Sequence, residues 1–149
     1  MGTGGQRRAF TGAALAAALC GLAACANVEA LRADPAETGR FSTAEAPARV
    51  VKNIERQAAK CQEYWSPVVG IYTKTDGRLV GRLRPGATVT VTMTRWTVFG
   101  STALLVADIT AAEHGSEVAF YRDGTFRPWR DFAPVLKSWV DGAPDCVPK

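Results

Sequence analysis

The sequence predicts an α+β fold, a two-layer sandwich in which a five-stranded antiparallel meander sheet carries an N-terminal and a C-terminal helix packed on one face. Three observations predict it. Apolar residues recur at helical spacing from Val50 to Cys61 and again from Phe132 to Val140. Between them the chain breaks into short β-rich runs joined by connections too short for parallel crossovers. Finally, 149 residues with 47% apolar and 21% charged side chains have ordinary globular composition, and that length suits one domain.

Taken in order, residues 25–46 read as a flexible tether ahead of a domain over 47–149. Ala26 to Ala46 is rich in Ala, Glu, Arg, Thr and Gly, with few large apolar residues. As a coil it would hold the domain on the order of 25 Å from its start, and a helical turn over Val28 to Ala33 would shorten that reach. Pro47 then suits the first turn of a helix. Val50, Val51, Ile54, Ala58 and Cys61 fall on one face, with Lys52, Asn53, Glu55, Arg56 and Lys60 elsewhere. Tyr64 and Trp65 close the helix, and Pro67 forbids its continuation.

The expected strands are Val68 to Lys74, Arg78 to Arg84, Ala87 to Thr97, Thr102 to Thr110 and Glu117 to Arg122. Asp76-Gly77, Pro85-Gly86, Gly100-Ser101, His114-Gly115 and Asp123-Gly124 punctuate them. Val89, Val91 and Met93 alternate with Thr88, Thr90, Thr92 and Thr94, which predicts one dry face and one wet face. Leu104 to Ile109 is apolar on both sides, as an interior strand would be. Beyond Arg95 the register is open, with Trp96, Val98 and Phe99 the candidates for a bulge. The C-terminal helix follows, with Asp131 as N-cap, Pro134 in the first turn and Gly142 as the stop. Its apolar face comprises Phe132, Val135, Leu136, Trp139 and Val140.

The first 24 residues have the layout of a signal peptide. Arg7 and Arg8 precede sixteen uncharged residues, Ala9 to Ala24, which end in small side chains. That run covers roughly 24 Å as a helix, short of a bilayer core of about 30 Å. It ends Leu22-Ala23-Ala24-Cys25, which closely resembles the lipobox of bacterial lipoproteins. The resemblance implies cleavage between Ala24 and Cys25, with the Cys25 thiol as the nucleophile that accepts a diacylglyceryl group. Two or more acyl chains would then anchor the protein stably in a lipid bilayer. Ala26 in place of Asp implies, by likeness to enteric lipoproteins, the outer membrane facing the periplasm. Arg7-Arg8-Ala9-Phe10 also resembles part of a twin-arginine signal, so both export routes stay open. The wider likeness is to small proteobacterial α+β lipoproteins, a group of unassigned function.

Such processing would remove Cys20 and modify Cys25, leaving Cys61 and Cys146 as a pair. In an oxidising compartment an even pair reads as one disulfide. A metal site with His114 lacks short paired ligand spacing, so no metal or cofactor is expected. Loss of Arg7 and Arg8 leaves 16 basic against 14 acidic residues, which is no argument for nucleic acid.

No nucleophile elbow, phosphate loop or metal-binding helix motif is present, so the sequence is not read as an enzyme. The leading expectation is a binding or accessory module of the cell envelope. Its candidate partner surface is the basic row Arg78, Arg82, Arg84 and Arg95, suited to an envelope protein or an anionic glycolipid. Trp65, Trp96 and Trp129, the last flanked by Arg127, Pro128 and Arg130, are further candidates for an interface. The alternatives are a small envelope hydrolase or isomerase using Asp108, Glu113 or His114, and an inhibitor of a host or rival enzyme presenting the loop Ala111 to Ser116.

Overall fold

The computed structural model describes residues 27–65, 71–75, 83–98, 100–125, 131–143 and 146. A short helix, α1, covers 27–33. After it come β1 (Glu37–Thr43), α2 (Pro47–Trp65), β2 (Ile71–Thr75), β3 (Thr88–Thr97), β4 (Gly100–Ala111), β5 (Ser116–Arg122) and α3 (Ala133–Val140). The fold is α+β with an open antiparallel sheet in the order β1-β5-β4-β3-β2. Strands β2 to β5 form a meander, and α2 carries the chain from β1 at one edge to β2 at the other.

Membership of the sheet differs from the expectation. β1 lies inside the segment read as a tether, and α1 precedes it, so residues 27–43 are folded and not a coil. β1 alternates along the chain, with Thr38, Arg40 and Ser42 exposed and the residues between them half-buried. One of its positions has a steric requirement. Gly39 pairs with Phe120, and a Cβ at Gly39 would lie 2.6 Å from the Phe120 ring. The ring fills the place of the missing side chain. The strand expected at Arg78–Arg84 lies mostly outside the described residues, and its end at Leu83 and Arg84 is irregular. β2 pairs directly with β3.

The main core lies between the sheet and helices α2 and α3. Val50, Ile54 and Cys61 of α2 meet Met93, Ile109 and Phe120 of the sheet, and Leu136 and Trp139 of α3 complete it. Phe132 stacks edge-on against Trp139 at 5.5 Å and Phe120 at 6.3 Å. The helical stripe predicted for α2 is buried throughout, but Asn53 and Gln57 are buried beside it. Asn53, expected to be outside, donates from Nδ2 to the Val140 carbonyl at 3.0 Å and so closes the C-terminal end of α3.

A second, smaller core lies on the opposite face. There Leu31 and Val28 of α1 pack on Ala103, Val106 and Tyr121. Helices therefore cover both faces of the sheet, in place of the two-layer arrangement. The reason is the two-sided apolar character of β4: Leu105, Ala107 and Ile109 face α2 and α3, and Val106 needs cover from the other side. A bulge assists. Met93 pairs with Leu105 and Thr94 with Ala103, so Leu104 has no partner and sits in the main core next to Leu105. The bulge thus falls at Leu104 and not at Trp96 to Phe99.

The predicted turn at His114-Gly115 joins β4 to β5. Gly115 has φ +93, and a Cβ there would collide with the Thr43 carbonyl oxygen and Ala44. α3 runs to Val140 as expected, and Gly142, at φ +81, follows its end. Asp131 is not its N-cap; Phe132 holds that position without a side-chain cap.

Candidate functional site

One polar constellation lies where α1 crosses the sheet. Arg32 donates from Nε to Asp108 Oδ2 at 3.1 Å and from Nη2 to Asp108 Oδ1 at 2.7 Å, a two-pronged guanidinium–carboxylate contact. Thr90 Oγ1 donates to the same Asp108 Oδ1 at 2.6 Å, and Arg32 Nη1 pairs with Glu29 one turn earlier on α1. The hydrogen bond to Asp108 raises the Arg32 pKa above its ordinary value, so the guanidinium is charged at any physiological pH. Asp108 is thereby committed to a cation and a hydroxyl, which leaves it poorly suited to remove a proton from a substrate.

Asn27, at the start of the described chain, behaves like a missing strand. Its Nδ2 donates to the Ser101 carbonyl at 2.9 Å, and its Oδ1 accepts from the Ala103 amide at 3.2 Å. β5 reaches only as far as the Arg122–Leu105 pair, so this part of β4 has no paired strand on that side among the described residues. One side-chain amide supplies the donor and acceptor that a strand would bring. Beside it lies a cavity of about 360 Å³ lined by Asn27, Ala30, Leu31, Asp34, Ala103 and Asp123, among others. Its two carboxylates make it acidic, and Asp123 Oδ1 already accepts the Thr125 amide at 2.8 Å.

A third constellation joins the sheet edge to α3. Arg122 donates from Nε to Glu37 Oε2 at 2.7 Å. Glu37 Oε1 accepts from the backbone amides of Phe132 at 2.9 Å and Ala133 at 3.2 Å. A carboxylate from β1 thus caps the N-terminus of α3, where the helix dipole favours negative charge.

The other sequence-predicted residues separate. Cys61 and Cys146 are bonded, tying the end of α2 to the C-terminal tail across 85 residues. Arg95 is half-buried near the end of β3, and its Nη2 donates to Thr125 Oγ1 at 3.1 Å. Arg84 is exposed just before β3 begins, so the length of the strand, roughly 25 Å, keeps the two apart. Arg78, Arg82 and Trp129 lie outside the described residues, as do Ala24 and Cys25, the residues expected to flank a cleavage site. Glu113 and His114 are exposed in the β4–β5 turn, and neither they nor Asp108 line the cavity. Trp96 and Val98, by contrast, are the exposed large apolar side chains among the described residues, at 55% and 94%.

Sequence reasoning missed Asn27, Arg32 and Glu37 because all three sit in the segment read as tether. The helical turn expected as an option over Val28 to Ala33 is present, and the period-2 pattern around Phe41 was the signal left unused. Among the described residues no helix is long and apolar enough to cross a membrane. No family model matches the chain, and no curated protein or solved structure is detectably similar to it.

Proposed function

We propose that this chain is the precursor of a membrane-anchored envelope lipoprotein, cut between Ala24 and Cys25, whose folded part is a non-enzymatic binding or accessory module. The observation that carries the reading is Leu22-Ala23-Ala24-Cys25 at the end of an uncharged run behind Arg7 and Arg8. The Cys61–Cys146 bond accords with an oxidising compartment. The engagement of Asp108 by Arg32 and the exposure of His114 weigh against the hydrolase reading. Acyl chains on Cys25 would hold the protein in the outer membrane facing the periplasm, where an envelope protein or an anionic glycolipid is the partner class.

Replacing Cys25 with Ser tests the anchor directly. Intact-mass measurement of the wild-type protein is expected to show a chain beginning at Cys25 with the added mass of acyl groups. Detergent phase partitioning is expected to place that product in the detergent phase and Cys25→Ser, uncut, without the acyl mass. Unchanged mass and processing in the substituted protein would overturn the reading.

A further inference from the structure

We infer that the tip of the β3–β4 hairpin is a membrane-contact surface, with Trp96 and Val98 seated in the interface of the same bilayer that holds the acyl chains of Cys25; this rests on the anchoring reading above. Among the described residues the hairpin extends beyond the strands paired to it. β2 reaches only the Ile71–Arg95 pair and β5 only the Leu105–Arg122 pair, while β3 and β4 continue to the Thr97–Gly100 pair. On β4 the overhang past Leu105 is roughly 15 Å. Its end carries the large exposed apolar side chains Trp96 and Val98, at 55% and 94%. Exposed aromatic and aliphatic side chains at a protruding tip are costly in water, and an indole suits the headgroup level of a bilayer.

The occupant follows from where the anchor must be. Cys25 is two residues before Asn27, and two residues span at most roughly 7 Å. Asn27 is bonded through its side chain to Ser101 and Ala103 of the overhang, and Ser101 is the cross-strand partner of Trp96. Adding one Asn side chain and one strand spacing places the lipidated residue within roughly 20 Å of Trp96. Parity puts Trp96, Ser101 and Ala103 on the sheet face that α1 covers, so the indole and the anchor share a side of the molecule. The β4–β5 turn, with Glu113 and His114, lies at the other end of β4, on the order of 35 Å away, and faces the aqueous side.

The test uses the full lipidated protein carrying Val98→Cys, labelled with an environment-sensitive fluorophore, in phosphatidylethanolamine–phosphatidylglycerol vesicles. Glu113→Cys in the same protein is the reference. The thiol of Cys25 is blocked by lipid and those of Cys61 and Cys146 by each other, so each variant has one free site. A label at position 98 is expected to be blue-shifted, quenched several-fold by spin-labelled lipid and shielded from aqueous iodide, with the reverse at position 113. If flotation and intact mass show an anchored chain whose label at 98 is as open to iodide as that at 113, the inference is overturned and the anchor stands. Shielding at 98 without quenching by lipid would also overturn it, assigning the tip to a second copy or a protein partner. A chain that carries no acyl mass removes both readings.

Discussion

Glu37 performs at one position what several local residues do in most helices. Its carboxylate receives the Arg122 guanidinium and two backbone amides of the first turn of α3, with side-chain exposures of 20% for Glu37 and 10% for Arg122. Charge at a helix N-terminus and charge-assisted hydrogen bonds are each worth on the order of 1 kcal/mol where water is partly excluded. Glu37→Gln keeps the shape and removes the charge. Urea denaturation of that variant is expected to show a loss of about 1–2 kcal/mol, with the slope unchanged. This cap was illegible in the sequence because the rule for N-caps looks at the adjacent residue, here Asp131, whereas the acceptor arrives from a strand 95 residues earlier. The cysteine pair was legible for the opposite reason: counting thiols needs no knowledge of the fold.

Elements with dense periodic patterns were readable, and sparse ones were not. α2 and α3 present stripes of large apolar residues, and β3 alternates Thr with Val or Met over most of its length, so burial on one face is evident from the spacing alone. Among the described residues α1 buries Val28 and Leu31, and β1 has Phe41 as its one large apolar residue; both depend on what the sheet brings to them. The clue was in β4, where Val106 required a second cover that a helix pair on one face could not provide. Since α1 buries so little, its place rests substantially on Asn27 and Arg32. A double-mutant cycle of Arg32→Ala and Asp108→Ala is expected to give a coupling of about 1 kcal/mol, smaller at high salt, because both side chains are still reached by solvent. A coupling near zero would mean that α1 is held by Leu31 and Asn27 alone.

At the scale of the molecule, the sheet joins elements far apart in the chain: β1 pairs with β5 and, through Glu37, holds the start of α3. The bond between Cys61 and Cys146 encloses 85 residues, which in the chain-entropy picture is worth about 4–5 kcal/mol. Replacing both cysteines with Ala is expected to lower the urea midpoint by roughly 2 M, read by circular dichroism, at a slope of about 2 kcal/mol/M. A shift of a few tenths would mean that the unlinked chain is already compact. The pairing of β1 with β5 also orders events in time. The earliest strand to be synthesised completes its hydrogen bonding only against the last, Glu37 with Arg122 across 85 residues. Such distant closure slows folding. A chain emerging from its N-terminus holds an unmatched edge until nearly all of it is out, so release of a truncated product leaves β1 with nowhere to go.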